Sequence, residues 1–364
     1  STLAQIYKIP RGHGLFHGGP AYYIQNALGQ PAVAKLFAVL ISVTFGLIYV
    51  SVQANTIALS VEKAFGVETW VMGIALSVLA ALVIFGGLSR IAAFTTFLVP
   101  IMAGLYLLIA LIIVIMHIDA VPGMFALILH DAFSPQAAVG GGIGTVILTG
   151  IRRGLFSNEA GEGSIPNAAA TASVTHPVKQ GLVQAFGVYV DTWIVCSATA
   201  FIVLLTGQYT IGGDTTGIAL AQDSLASVFG PWASSLLAVL IFLFAFSSVV
   251  GNYYYGEANI EFLTRNRMYL NIFRAVVALC VFGGAIGSVP LVWSLADTFS
   301  GFMATVNLIA LIPLGGVAIA VLRNFSKQRA QGINPVFHRD DVPGLKGWDG
   351  MESVSYTHLR AHET

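Results

Sequence analysis

The chain has 364 residues, of which 56% are hydrophobic and 9% are charged, and its mean hydropathy is +0.80. Because a typical soluble domain carries roughly 25% charged residues, this composition predicts a helical protein that crosses a membrane several times. The 17 basic and 17 acidic residues give a formal net charge of zero, which excludes the basic surface typical of nucleic-acid binding. We therefore expect a lipid bilayer, and no nucleic acid, among the partners.

The sequence contains no common catalytic signature of the HExxH, P-loop or GxSxG type. Cys196 and Cys280 lie in apolar runs, where free, small apolar side chains are expected rather than a disulfide or a metal site. We therefore expect that the protein is not an enzyme and needs no organic cofactor. No obligate protein partner is evident.

Three regions follow from the distribution of polar residues. Residues 1–33 lack a membrane-length apolar run and are predicted to be a cytoplasmic segment of a chain that begins partway through a longer protein. Residues 34–322 form the predicted transmembrane domain. Residues 323–364 are rich in polar and charged side chains and are predicted to form a cytoplasmic tail without its own core, foreign in origin after about residue 351.

Eight apolar runs are long enough to cross a bilayer, which takes about 20 helical residues. The run between the third and fourth, Asp119–Phe133, is too short and polar and is predicted to be an amphipathic helix on the membrane surface. The predicted spans are Lys35–Val61, Val67–Leu88, Phe94–Met116, Ala138–Ser173, Gln180–Leu205, Trp232–Val250, Met268–Gly287 and Pro290–Leu322.

The distribution of basic residues predicts the orientation of these spans, because cytoplasmic loops are enriched in lysine and arginine. With the end that carries Arg323 in the cytoplasm, only Lys63 among the loop cations falls outside. Both ends of this chain are therefore predicted to be cytoplasmic. The other basic residues that this assignment places inside are Lys8, Arg11, Lys35, Arg90, Lys179, Arg265, Arg267, Lys327 and Arg329.

The fourth span is predicted to be broken. Ile151–Ser164 reads IRRGLFSNEAGEGS, and charges beside glycines at membrane depth are tolerated only where the chain is buried in protein or lines a watery cavity. We expect half-helices at Gly140–Gly150 and Gly163–Ser173, with Phe156–Gly161 unwound between them. Such breaks expose amides and carbonyls to a substrate and a cation, as in many secondary transporters. The alternative is a core helix weakened by glycine, with a satisfied buried glutamate.

Charged and polar residues of this stretch have structural alternatives. Glu159 is expected to pair with Arg152 or Arg153 and so lock the broken helix, a role favoured over direct ligation. Asn158 either contacts the substrate or caps the second half-helix.

Several segments of the sequence resemble those of a known protein family. The segment Ile151–Gly181, followed by Val190–Thr192, closely resembles the signature region of the sodium:alanine/glycine symporters, the amino acid carrier family. Four further blocks match in the same order: GGPAYYI at Gly18, VQANTIA at Val52, LFAFSS with YYYGE from Leu243, and LVWSLADTFSGFMA at Leu291. The resemblance implies an all-α leucine-transporter-type fold with two inverted five-helix repeats.

Such a protein is expected to move a small neutral amino acid, alanine or glycine, into the cell with sodium, by alternating access. Family members resemble an eleven-helix protein, so the resemblance implies that the first three helices, including a first broken helix, precede this chain. The chain alone is therefore expected to hold part of the site and not to transport.

Candidate substrate residues lie at the break and on two other spans. Gln53 and Asn55 are two residues apart, so only one of them is expected to face the pathway, and the resemblance places their helix beside the substrate. Asp297 lies four residues after Trp293 on the same helix face and is expected to look inward. The predicted substrate-binding residues are Phe156, Ser157, Asn158, Gln53, Asn55, Trp293 and Met303.

Ser247 and Ser248 are the candidate sodium ligands. Adjacent hydroxyls in a helix usually bond back to the preceding turn, but the resemblance assigns sodium-binding hydroxyls to this helix, and hard cations take oxygen ligands. A proton is the alternative coupling ion. The residues predicted to have structural or gating roles are Arg152, Arg153, Glu159, Gly161, Gly163, Asp191, Thr192 and Asp297.

Two other functional classes compete with a symporter. An ion channel would use the broken segment as a re-entrant filter. A membrane enzyme or scaffold would use Glu159 as an acid or a base.

Overall fold

The computed structural model describes residues 1–12, 15–86, 88–133, 143–210, 213, 215–338, 340, 342 and 345. Within them the chain is almost entirely helical, with a single antiparallel hairpin, Ile9–Gly12 paired with Leu15–His17, near the N-terminus. The helices are α1 (Thr2–Ile6), α2 (Pro20–Leu28), α3 (Pro31–Val43), α4 (Val50–Phe65), α5 (Thr69–Gly86), α6 (Leu88–Met116), α7 (Val121–Phe133), α8 (Ile143–Asn158), α9 (Ile165–Thr171), α10 (Pro177–Val190), α11 (Ser197–Thr206), α12 (Gly217–Phe229), α13 (Pro231–Leu263), α14 (Arg267–Ile286) and α15 (Val289–Ala330).

Seven helical stretches in the described part are long and apolar enough to cross a membrane, and each coincides with a predicted span. The prediction of an all-α polytopic membrane protein is confirmed. The stretches are Pro31–Phe65, Thr69–Gly86, Val99–Met116, Pro177–Thr206, Pro231–Leu263, Arg267–Ile286 and Val289–Ala330. The inverted-repeat arrangement stays a prediction.

The remaining predicted span is interrupted, as expected, between α8 and α9. The predicted limits of the break were wrong, since α8 continues through Asn158 and the non-helical residues are 159–164. Glu159, Gly161 and Gly163 have φ of 49°, 81° and 86°, and this left-handed backbone ends the helix. The predicted first half-helix began at Gly140, and residues 140–142 lie outside the described residues, as do residues 351–364 of the tail.

Two of the long helical stretches contain a π-helical turn, which no pattern in the sequence indicated. Thr44–Tyr49 joins α3 to α4, and Asp191–Cys196 joins α10 to α11. A π turn adds a residue to the helical repeat and rotates the side chains that follow, and such turns are frequent at functional sites. Tyr49 from the first turn and Asp191 from the second both contact the broken span.

Residues near both ends of the described part of the chain pack against the transmembrane helices. Ile6 and Tyr7 are 2% and 1% exposed and belong to one core with residues of α3 and α15. At the other end, α15 extends to Ala330, so the predicted tail begins as a helix. Phe337 is fully buried, and its backbone N–H donates to the carbonyl oxygen of Thr175 at 2.9 Å.

Candidate functional site

Side chains from distant helices hold the non-helical residues 159–164, here called the unwound segment. Asn307 of α15 donates from Nδ2 to the carbonyl oxygen of Gly161 at 2.8 Å. The hydroxyl of Tyr23 in α2 in turn donates to Asn307 Oδ1 at 2.5 Å. Because backbone groups at membrane depth need partners, these two side chains allow the chain to leave the helical path.

A second amide holds the other end of the unwound segment. Asn167 of α9 donates from Nδ2 to the carbonyl oxygens of Gly163 and Ser164, both at 2.9 Å. Asn259 of α13 donates to Asn167 Oδ1 at 3.0 Å. The unwound segment is therefore tied to α15 at one end and to α13 at the other.

Gly163 combines a positive φ with close approach by neighbouring helices. A Cβ atom at this position would lie 2.7 Å from Pro20 Cγ and 2.9 Å from Phe37 Cζ. An L-residue would meet both backbone strain and a steric clash here. The predicted structural role of Gly163 therefore has a specific geometric basis.

Two glutamates of the unwound segment have different partners. Glu159 Oε2 accepts a hydrogen bond from the hydroxyl of Ser164. The predicted pairing of Glu159 with Arg152 or Arg153 was wrong for Arg153, whose guanidinium pairs with Asp297 instead. Arg152 lines a cavity described below and takes part in none of the ion pairs among the described residues.

Glu162 was not predicted as a site residue, although it is the more unusual of the two carboxylates. It is 3% exposed, and its Oε1 accepts a hydrogen bond from Tyr49 Oη at 3.0 Å. Its Oε2 has no hydrogen-bond partner among the described residues. A buried carboxylate oxygen without a partner is costly, which makes it available to a cationic group.

An aromatic row runs from the first π turn to α15. The ring of Phe156 lies 5.0 Å from the ring of Tyr49 on one side and 5.0 Å from that of Trp293 on the other. The guanidinium carbon of Arg153 lies 4.7 Å from the Trp293 ring centroid. Arg153 and Asp297 retain 41% and 30% side-chain exposure, so this pair lies at the open end of the row.

The unwound segment separates two cavities. The larger, here called the Trp293 cavity, has a volume of about 640 Å³, and its lining includes Phe156, Glu162 and Trp293. The smaller, here called the Asn158 cavity, has a volume of about 300 Å³ and is lined in part by Asn158. Ala160 lines both cavities, so a change in the backbone of this segment would alter both at once.

The last turn of α8 is bonded to the second π turn. Ser157 Oγ donates to Asp191 Oδ2 at 2.5 Å, and Thr192 Oγ1 donates to Asn158 Oδ1 at 2.8 Å. Asn158 Nδ2 donates to the carbonyl oxygen of Gly154 in its own helix, at 2.9 Å, and does not cap α9. The structure thus brings together four of the predicted residues in one polar cluster.

Four predicted substrate residues line neither cavity: Ser157, Asn55, Met303 and Gln53. Asn55 is 2% exposed and donates from Nδ2 to the carbonyl oxygens of Gly284 and Gly287, which caps the end of α14. Met303 is fully buried in the core. Gln53 is half-buried and belongs to neither cavity lining.

Ser247 and Ser248 on α13 both bond back to the preceding turn of their helix, the arrangement usual for adjacent hydroxyls in a helix. Ser247 Oγ and Ser248 Oγ donate to the carbonyl oxygen of Phe244, at 2.7 and 3.2 Å. A hydroxyl that donates one hydrogen bond keeps its oxygen lone pairs, so both atoms can still accept a cation. Their assignment to sodium stays a prediction.

Four residues that contact the unwound segment or support those contacts were not predicted from the sequence: Asn307, Tyr23, Tyr49 and Asn167. Asn307 lies within the final span, where an amide at membrane depth is a general signal of buried function. Tyr23, Tyr49 and Asn167 gave no comparable signal, because their positions depend on contacts between helices distant in sequence.

Residues 1–339 match the sequence model of the sodium:alanine symporter family. The chain is 51% identical over 352 residues to the amino-acid carrier protein AlsT of Bacillus subtilis, covering 97% of this chain and 75% of AlsT. It is 46% identical over 362 residues to the probable sodium/glutamine symporter GlnT of the same organism, covering 98% of this chain and 75% of GlnT. It is 36% identical over 336 residues to the sodium/alanine symporter AgcS of Methanococcus maripaludis, covering 90% of this chain and 74% of AgcS.

Proposed function

Because this chain belongs to the sodium:alanine symporter family, we propose that it carries a small neutral amino acid, alanine or glycine, into the cell with sodium. The protein is a multi-pass membrane transporter of the symporter class and not an enzyme. The comparisons with relatives give no support to the channel or the scaffold. The proposed site of transport is the unwound segment, supported by its position between the two cavities.

The groups on the two sides of the unwound segment have the chemistry that a small zwitterion needs. The unpartnered Oε2 of Glu162 is a suitable acceptor for the substrate ammonium. On the other side of the unwound segment, in the Asn158 cavity, no described group accepts a hydrogen bond from the backbone N–H of Gly161 or Gly163, which makes these amides candidates for the substrate carboxylate. Phe156 and Trp293 would cover the substrate side chain.

The stacking of these rings favours a small substrate. Phe156 is fixed between Tyr49 and Trp293, and Arg153 lies over the Trp293 ring, so the apolar wall has little room to move without losing aromatic contacts. A methyl group or a hydrogen fits such a wall more readily than a branched or aromatic side chain. Alanine and glycine are therefore preferred over larger amino acids.

Coupling to sodium rests on the family and on oxygen ligands. Ser247 and Ser248 remain the proposed hydroxyl ligands, since each retains acceptor capacity. A proton remains the alternative coupling ion, and Glu162 is the carboxylate proposed to carry it. If the proton is the coupling ion, a proton gradient without sodium should drive uptake in the unmodified protein but not in a variant that lacks this carboxylate.

Alternating access by rocking of helices around the unwound segment is the proposed mechanism. The cell membrane is the proposed location, with both ends of this chain in the cytoplasm, supported by the distribution of basic residues.

The test is uptake of labelled alanine by the full-length protein in proteoliposomes. An inward sodium gradient should drive accumulation of alanine, and potassium in place of sodium should not. Leucine and phenylalanine at the same concentration should compete weakly. Uptake that is indifferent to sodium, or a sodium current that needs no amino acid, would contradict the proposal.

A further inference from the structure

A third cavity lies beside the connection between α13 and α14, and residues of the N-terminal hairpin also line it. Its volume is about 680 Å³, and it forms where α13 ends at Leu263 and α14 begins at Arg267. Both helices are membrane-spanning candidates, so the short connection between them lies where hydrocarbon gives way to headgroups and water. None of its lining residues belongs to the Trp293 or Asn158 cavities.

The rim of this cavity is basic. Arg265 and Arg267 line it and are both exposed. Neither arginine forms an ion pair within the described part of the chain. Two arginines one residue apart at the membrane boundary are well suited to bind a phosphate group.

The inner wall of the same cavity is acidic. Glu257 is 7% exposed, and its Oε1 accepts a hydrogen bond from Arg274 Nη2 at 2.6 Å. Its other oxygen, Oε2, is buried and has no partner among the residues described. A buried carboxylate oxygen in a cavity wall is a site for a hydrogen-bond donor, preferably a cationic one.

The outer face of α14 beside the rim is apolar. Met268, Tyr269 and Ile272, in its first two turns, are 56%, 54% and 52% exposed. These side chains continue from the cavity mouth along the surface of a spanning helix, which is where lipid chains would lie. A ligand whose polar group enters the cavity could therefore lay an apolar tail on this face.

From this arrangement we propose that the cavity binds the headgroup of an aminophospholipid of the phosphatidylethanolamine type. The phosphate lies against Arg265 and Arg267 at the rim, and the primary ammonium donates to Glu257 Oε2 at the inner wall. The acyl chains follow the apolar face of α14. On the predicted orientation of the spans, the lipid belongs to the cytoplasmic leaflet.

Other occupants satisfy fewer of these groups. An anionic headgroup, such as phosphatidylglycerol, would offer Glu257 Oε2 only neutral hydroxyl donors, and no ammonium would balance the negative charge of its phosphate beside this carboxylate. A trimethylated headgroup, as in phosphatidylcholine, carries the positive charge but has no N–H to donate. A free amino acid would leave the apolar face of α14 uncovered. The proposal is independent of the transport site, because the two sets of lining residues do not overlap.

Native mass spectrometry of the purified protein tests the proposal, with phosphatidylethanolamine, phosphatidylcholine and phosphatidylglycerol of identical acyl chains. We expect phosphatidylethanolamine to bind about tenfold more tightly than phosphatidylcholine, the ratio that one charge-assisted hydrogen bond supplies. The E257Q variant should reduce this ratio to near one. Equal affinity for all three lipids, or a preference for phosphatidylglycerol, would overturn the assignment.

E257Q also removes the charge that pairs with Arg274, so this variant changes a contact of the fold as well as the proposed binding site. R267Q changes an exposed rim residue that has no such partner among the described residues, and it should weaken the binding of phosphatidylethanolamine by about tenfold. R329Q, at the far end of α15, is the matched control and should bind as the unmodified protein does. Soluble glycerophosphoethanolamine should compete with the lipid, and alanine should not. Unchanged lipid binding by R267Q would refute the proposed phosphate position.

Discussion

Asn307 donates a hydrogen bond to the carbonyl oxygen of Gly161 across 2.8 Å, which joins the last long helix to the unwound segment. Asn307 also accepts from Tyr23, so a single amide connects α2, α15 and the break. A rearrangement of the unwound segment during transport would have to break or carry this contact. The network is thus both a support for the irregular backbone and a point where its motion is coupled to the helices around it.

Replacement of Asn307 by alanine should destabilise the protein. Both the Gly161 carbonyl and the Tyr23 hydroxyl would lose a buried partner, at a cost of about 1–3 kcal/mol. Thermal unfolding in detergent measures the loss. Tyr23→Phe removes only the hydroxyl and should cost less, while Thr305→Val, on an exposed part of the same helix, should cost little. Equal stability of Asn307→Ala and Thr305→Val would show that the network does not support the break.

Replacement of Gly163 by alanine should also destabilise the protein, for a different reason. The backbone φ of 86° is strained for an L-residue, and the new Cβ would meet Pro20 and Phe37. We expect a loss of about 2 kcal/mol or more. Gly150→Ala is the matched control, because Gly150 lies in α8 and a Cβ there meets no atom within 4 Å. If both variants unfold at the same temperature, the left-handed backbone at Gly163 is not required.

Glu162→Gln should weaken substrate binding and have a smaller effect on the stability of the fold. The amide retains a carbonyl that can accept from Tyr49 but loses the negative charge proposed to bind the ammonium. The KM for alanine should rise about tenfold, as expected for one charge-assisted hydrogen bond. The measurement is initial uptake against alanine concentration at saturating sodium, with exposed Glu68→Gln as the control. An unchanged KM would exclude Glu162 from substrate recognition.

Lys8 lies outside the membrane-spanning helices and should make the stability of the protein depend on pH. Its side chain is buried, and burial lowers the pKa of the Lys8 ammonium from 10.5 to about 8. Between these values the unfolded chain binds the proton and the folded protein does not, so the free energy of unfolding should rise with pH.

The expected gain between pH 8 and 10.5 is about 1–3 kcal/mol, measured by unfolding in detergent at several pH values. Lys8 also donates to Gln5 Oε1 at 2.8 Å and to the Ala172 carbonyl at 2.9 Å, contacts that favour the charged form and reduce the gain. Lys8→Met should remove the rise, and Lys35→Met, at an exposed position, should keep it. A rise that persists in Lys8→Met would place its origin elsewhere.

Much of the fold could be predicted from the sequence because lipid imposes strong constraints. A span needs a long apolar run, and the interruption of such a run by Glu159, Gly161 and Gly163 predicts a break. The exact position of the break was harder to predict. Phe156–Asn158 contain no glycine, and the side chain of Asn158 bonds to the helix it ends, so α8 continues further than the polar composition indicated.

The partners of the site residues could not be predicted for a physical reason. Arg153 has a nearby carboxylate in sequence at Glu159, yet it pairs with Asp297 of α15. The choice between these two acceptors depends on the packing of helices separated by more than 100 residues. The π turns that aim Tyr49 and Asp191 have no clear sequence pattern either, so the contacts they make become apparent only in the folded protein.

The most direct measurement of the central claim is substrate protection of a cysteine in the Trp293 cavity. Ser300 lines this cavity with Glu162 and Trp293, and both native cysteines are free, so Ser300→Cys can be made with Cys196 and Cys280 replaced by serine. Alanine should slow the reaction of this cysteine with a charged thiol reagent in the presence of sodium and have little effect in its absence. Gln331→Cys, at an exposed position after α15, should react equally in all conditions. If alanine at saturating concentration leaves the labelling of Ser300→Cys unchanged in sodium while uptake continues, the substrate does not occupy the proposed site.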